Sequence, residues 1–148
     1  MILPDFKAFP RSGRIIGIDW GARRIGVAVS DESRAFVFTR PVLNVGRGDD
    51  AAAIVARVAS EERVCGFVVG LPLYPDGTES DTTKMVREFI NALSQETDLP
   101  IVTVEENLTS VSAQESMGRV RVRDIKEKLD SESARVILEN AIALINRA

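Results

Sequence analysis

Two short runs near the start of the chain, Ile15–Trp20 and Ile25–Ser30, are apolar at nearly every position and are separated by Gly21-Ala-Arg23. Uniform apolarity with β-branched residues predicts two hairpin strands covered on both faces, not a half-exposed pair with alternating polarity. A third strand is expected over residues 34–45, broken or ended at Pro41. After the Gly46-Arg-Gly48 loop, Asp49 or Asp50 is placed to cap a helix whose apolar positions are Ile54, Val55, Val58 and Ala59. The run Val64–Gly70 reads as a buried parallel strand, followed by a loop over Leu71–Gly77. A helix follows from near Ser80 to about Thr97, with Met85, Val86, Phe89, Ile90 and Leu93 inward. Pro100–Glu105 forms another strand, and Thr109 or Ser110 caps a brief helix. A final helix is expected from Asp130 or Ser131, burying Ala134, Ile137, Leu138, Ala141, Ile142 and Ile145 at spacings of three and four.

The first three strands are joined too tightly for crossovers and should be antiparallel, whereas the later two need helical crossovers and should be parallel. The expected fold is therefore α/β, a mixed five-stranded sheet (three antiparallel then two parallel strands) with helices on both faces. Residues 1–13 carry Pro4 and Pro10 without a clean period and read as an N-terminal arm, leaving residues 14–148 as a single domain.

Composition narrows the chemistry. The 148 residues hold no histidine and one cysteine, which excludes Ser-His-Asp and Cys-His catalysis and His-ligated zinc. Any metal is then expected on carboxylates. Cys65 sits in an apolar run and reads as a packed core thiol; a lone cysteine fits a reducing cytoplasm. No apolar run approaches the roughly 20 residues a membrane span requires, and no basic-then-apolar leader opens the chain, so a cytoplasmic protein without membrane contact is expected. The net charge of −3 argues against a nucleic-acid partner only until its distribution is considered. Arg11, Arg14, Arg23 and Arg24 gather near the first hairpin, and Arg119, Arg121, Arg123, Lys126 and Lys128 crowd a second stretch, Gly118–Lys128. That stretch reads as a phosphate-contacting loop, or more plainly as a solvated loop or short edge strand.

Asp19 is the exception in the first strand. A carboxylate there requires hydrogen-bond donors, a cation or a metal, and Gly17, Gly21 and Gly26 clear space around it. Gly17-x-Asp19-x-Gly21 also matches the phosphate-binding opening of actin-like ATPases, but those two-lobed enzymes need far more chain.

The residues of four stretches, in order, resemble one family. Gly17-Ile-Asp-Trp-Gly-Ala-Arg-Arg-Ile-Gly-Val-Ala-Val-Ser-Asp31 is similar to the opening motif of the YqgF (RuvX) family. Val69-Gly-Leu-Pro72 with Asp76-Gly77 resembles its second motif, Val104-Glu-Glu-Asn-Leu-Thr-Ser110 its third and Leu129-Asp-Ser-Glu-Ser-Ala134 its fourth. The third motif departs from the family's Asp-Glu-Arg, reading Glu105-Glu106-Asn107, and Ser133-Ala134 stands where Ala-Ala is usual. The resemblance implies a ribonuclease H-like fold and a metal-dependent endonuclease acting on Holliday junctions or on the precursor end of 16S rRNA. A catalytically silent RNA- or ribosome-associated domain of the same fold is the alternative. On this reading Asp19, Glu106 and Asp130 are the catalytic and metal-binding carboxylates, holding one or two Mg²⁺ or Mn²⁺ ions. Arg23, Arg24, Arg119, Arg121, Arg123 and Lys126 would contact nucleic acid, and Asp76 and Asp81 stand in reserve as ligands. For Asp130 a plain N-cap role is the competing explanation. The protein is expected to be a monomer or weak homodimer.

Overall fold

The computed structural model describes residues 1–107 and 122–147. In chain order the elements are β1 (Ile15–Asp19), β2 (Arg24–Ser30), β3 (Val37–Asn44), α1 (Ala51–Glu62), β4 (Gly66–Leu73), α2 (Asp81–Glu96), β5 (Ile101–Asn107) and α3 (Val122–Arg147). The strands form one sheet in the order β3-β2-β1-β4-β5. β1–β2 and β2–β3 are antiparallel, and β1–β4 and β4–β5 are parallel, as the connection lengths require.

Because side chains alternate along a strand, each strand feeds two cores. Ile16, Ile18, Ile25, Val27, Val29, Phe67, Val69, Leu71 and Ile101 point to one face and pack with Val55 and Ala59 of α1 and Val86, Phe89, Ile90 and Leu93 of α2. Ile15, Ala28, Val68, Val102 and Val104 point to the other, against Ala134, Ile137, Leu138, Ala141 and Ile145 of α3. This double coverage explains the absence of hydrophobic alternation in the central strands.

Capping follows the sequence. The Asp50 carboxylate accepts from the Ala53 N–H at 3.1 Å and starts α1. Ser80 starts α2 through a reciprocal capping box with Thr83.

Several boundaries differ from expectation, each for a local reason. Of the two outcomes expected at Pro41, β3 is broken there and not ended. It is the edge strand, and its register with β2 slips there: Val27 faces Arg40 while Ile25 faces Leu43. The missing proline N–H therefore falls in a bulge on an edge, where the ladder does not need it. β4 continues to Leu73 because β5 continues beside it to Asn107, so only Tyr74–Thr78 form the turn. Met85 is half exposed on the outer side of α2. Cys65 precedes β4, half-buried, with Sγ 3.5 Å from the Ser12 carbonyl, and is not a core thiol. α3 begins at Val122, not at Asp130, so Val122–Lys128 is helical instead of a loop or edge strand. From Val122 to Arg147 the sequence offers no Pro or Gly to interrupt the helix. The brief helix expected after Thr109 or Ser110, and Gly118–Arg121, lie outside the described residues.

The N-terminal arm is docked. Its first residues run along the outer edge of β5, with the Ile101 N–H donating to the Met1 carbonyl at 2.8 Å and the Leu3 N–H to the Ile101 carbonyl at 2.9 Å. Phe9 is buried against Gly66. The buried Arg34 adopts the left-handed region (φ 64°) and donates to the carbonyls of Gly13 and Pro10 at 2.9 and 2.7 Å. Its guanidinium lies over the Phe9 ring.

Candidate active site

The alternation that separates the two cores also decides which polar residues meet. Asp19 ends β1 two positions after Gly17, whose absent side chain leaves room for Leu138 of α3. Asp19 therefore points to the α3 face. Its cross-strand neighbour on β2 is Gly26. One step beyond the Ile18–Val69 pair, β4 presents Gly70, where a Cβ would lie 2.8 Å from Glu106 Oε2 and 2.4 Å from Ile137 Cδ1. Glu106 is thus on the same face as Val102 and Val104, near the end of β5. Glu105 is exposed and is paired with Leu71, whose side chain faces the α1–α2 core. Of the two adjacent acids, strand period alone selects Glu106.

The third carboxylate arrives from above. Asp130 lies eight residues past the start of α3 and one turn before Ala134, on the stripe that packs against the sheet. This position rules out its serving as the N-cap. A Cβ on Gly26 would stand 2.0 Å from the Asp130 carbonyl oxygen, so only glycine lets the helix settle there, over the residue opposite Asp19.

Electrostatics register the crowding. The Asp19 carboxyl is pushed up from its ordinary 3.8 to about 8, first by burial and then by the negative charges of Glu106 and Asp130. Burial raises Glu106 from 4.5 to about 7. Arg24 Nε stands 3.4 Å from Asp130 Oδ2. An all-oxygen set of carboxylates with surplus negative charge in a low-dielectric setting suits a hard divalent cation. Among the described residues, no three acidic or cysteine side chains are drawn together closely enough to form a ready ligand shell.

Two hydroxyls seat helices on strand carbonyls beside these acids. The buried Thr83 donates to the carbonyl of Pro72, the cross-strand partner of Glu106. Ser131 Oγ donates to the Arg40 carbonyl at 3.2 Å.

The remaining candidates divide. Arg23 is exposed on the β1–β2 turn, whereas Arg24 is turned toward Asp130. Arg123 and Lys126 fall on the first turns of α3, and Arg119 and Arg121 lie outside the described residues. Asp76 serves its own turn, accepting from the Thr78 N–H and hydroxyl, which hold its carboxyl below the usual range. Asp81 is exposed in the first turn of α2. Sequence reading passed over Arg47. The Val45 N–H donates to the Arg23 carbonyl at 2.8 Å and Arg24 faces Asn44, so the Gly46–Gly48 loop, with exposed Arg47, sits beside the hairpin turn. The glycines flanking it were the available signal.

A family model described as "RuvX: Holliday junction resolvase" matches residues 13–143. A protein of Maridesulfovibrio salexigens, named as a proposed pre-16S rRNA nuclease, is 36% identical over 88% of this chain and 98% of its own length. One of Nitratidesulfovibrio vulgaris with the same name is 36% identical over 88% of this chain and 94% of its own. Among solved structures, T. thermophilus RuvC in complex with a Holliday junction substrate matches with a TM-score of 0.54 at 13% identity, over 90% of this chain and 96% of that one. The fowlpox virus Holliday junction resolvase matches at 0.50 and 12%, over 87% and 96%. These structural likenesses establish the ribonuclease H-like fold that the sequence implied.

Proposed function

The chain belongs to the RuvX family, and from that premise we propose that it is a divalent-metal-dependent endonuclease that cleaves phosphodiesters of structured nucleic acid, with the precursor end of 16S rRNA as its first substrate and branched DNA as the second. The observation that carries this reading is the placement of Asp19, Glu106 and Asp130 toward one end of one sheet face, where the buried Asp19 carboxyl is raised further by the negative charge of both others.

The three carboxylates would hold Mg²⁺ or Mn²⁺. When bound, the cation supplies neutralising charge and a water of lowered pKa. Asp19, anchored in the central strand, fixes one side of the site from the sheet floor. Glu106 reaches in from β5, and Asp130 closes it from the helix. Gly17, Gly26 and Gly70 keep the floor low enough for that closure. Arg23 and Arg47, exposed on adjoining loops at the same end, meet backbone phosphates flanking the scissile bond, with Arg119, Arg121, Arg123 and Lys126 contributing from the basic segment. Arg24 holds Asp130 until substrate and cation arrive. Few aromatics are present, which favours recognition of backbone and shape over base stacking.

The test is cleavage of a precursor 16S rRNA fragment and a four-way DNA junction side by side in Mg²⁺ and Mn²⁺, with Asp19→Asn as the blank. Calorimetric titration with Mn²⁺ separates an active centre from a silent binding domain: wild type binds and Asp19→Asn does not. No Mn²⁺ binding and no cleavage of either substrate would overturn the reading.

A further inference from the structure

Gly26 brings α3 close to the sheet but gives the helix nothing directional to hold at that point. The bulge in β3 supplies it. One extra β3 residue lies between the Val27–Arg40 and Ile25–Leu43 pairs, and beside it the Arg40 carbonyl accepts from Ser131 Oγ at 3.2 Å. Ser131 adjoins Asp130, so the bond acts within the helical turn that carries the carboxylate. The acceptor is itself anchored from the opposite face of the sheet. Arg40 Nε bonds Glu62 Oε1 at 2.8 Å, and Arg14 Nη2 bonds Glu62 Oε2 at 2.6 Å, in the last turn of α1. Pro41 limits the backbone rotation that would swing the carbonyl away.

We propose that Ser131 is a positioning residue for Asp130, and that the β3 bulge, through the chain Glu62–Arg40–Ser131, sets the height and rotation at which Asp130 meets the site. This rests on the reading of Asp130 as a site carboxylate. The hydroxyl touches neither substrate nor cation in this scheme; it acts through the helix turn.

Ser131→Ala, Ser131→Thr and Ser131→Cys test it, each checked for folding by circular dichroism. Cysteine preserves volume with a weak donor, and threonine restores the hydroxyl. Loss of one hydrogen bond corresponds to about three- to tenfold. Ser131→Ala should weaken Mn²⁺ binding by that factor in calorimetry and lower kcat similarly, with KM for nucleic acid unchanged. Ser131→Cys should follow the alanine variant, and Ser131→Thr should recover to within about twofold. If Ser131→Ala keeps wild-type Mn²⁺ affinity and kcat, losing at most thermal stability, the proposal fails; it also fails if threonine does not rescue. Asp130→Asn separates the two levels. If it leaves Mn²⁺ affinity and cleavage intact, the assignment of Asp130 itself falls; if it abolishes both while Ser131→Ala does nothing, only the positioning role falls.

Discussion

The two faces of the sheet are made from the same strands but on opposite plans. Toward α1 and α2 the strands present Ile16, Ile18, Ile25, Val27, Val29, Phe67 and Val69, large side chains that hold the helices at ordinary packing distance. Toward α3 the corresponding central positions are Gly17, Gly26 and Gly70, so the helix backbone comes down onto the sheet. Ala134, Ile137, Leu138 and Ala141 supply the apolar burial on this side of α3. One face is built for cohesion. On the other, cohesion is given up at the carboxyl ends of β1 and β5, where the buried Asp19 feels the negative charge of Glu106 and Asp130. The lesson is that Gly17 and Gly26 of the first motif are spacing elements for a helix distant in sequence, whereas Gly21 makes room for the hairpin's own backbone at the Arg24 carbonyl.

The contrast is broken most completely at Asp19. Asp19→Asn should reduce metal-dependent cleavage below detection while stabilising the cation-free fold. The sign follows from the raised values. Asp19 titrates near 8 and Glu106 near 7 in the folded protein, above their ordinary 3.8 and 4.5, so the folded state holds these protons more tightly than the unfolded chain. That stability is fully present below about pH 4 and is lost as pH rises through 7 and 8. The melting temperature of the cation-free protein should therefore fall from pH 5 to pH 9, and Asp19→Asn or saturating Mn²⁺ should flatten the fall. An equally steep profile in all three would remove the acids from the account.

Gly26→Ala tests the spacing directly. The new methyl would stand 2.0 Å from the Asp130 carbonyl oxygen, a backbone atom that cannot rotate aside. We expect at least about 3 kcal/mol of destabilisation by urea unfolding, at or above the usual range for overpacking, together with loss of Mn²⁺ binding. A mild effect would mean that α3 lies on the sheet loosely.

Arg23→Ala with Arg47→Ala should leave Mn²⁺ affinity unchanged and lower the slope of log affinity for nucleic acid against log salt by about two at most. An unchanged slope would return both loops to plain solvated surface. The smallest change should come on the cohesive face, where Ile18→Val trims one methylene beneath α1 and α2. It should cost about 1 kcal/mol and leave kcat and cation affinity as they were, although residue 18 adjoins Asp19 in the chain. A catalytic defect there would show that the two faces are not independent.

Much of this was legible in the chain. Period and apolarity identified every strand and the helices α1 and α2, and connection length settled parallel against antiparallel. Asp19 stood out as a charge in an apolar run. The misreadings share a cause: they depended on neighbours distant in sequence. Pro41 was expected to break or end its strand, and only the sheet order decided that it breaks an edge strand at a bulge instead of ending it. Asp130-Ser131 has the look of a helix start, yet α3 begins at Val122. The approach of Arg24 to Asp130, at 3.4 Å, is likewise a contact between residues far apart in the chain. Arg47 had only its flanking glycines as a signal until the β3–α1 loop was seen beside the hairpin turn.

The sequence by itself determined the elements and their faces, because a period of two or of three to four is a local property of backbone geometry. It also excluded histidine-based chemistry, since no histidine is present. Only the tertiary structure decided that Glu106 and not Glu105 joins Asp19, that Gly26 is reserved for the backbone of Asp130, and that Ser131 reaches a carbonyl on the edge strand. Those facts depend on register between strands and on the height of a helix above a sheet, and both are set by side chains, or their absence, many residues apart.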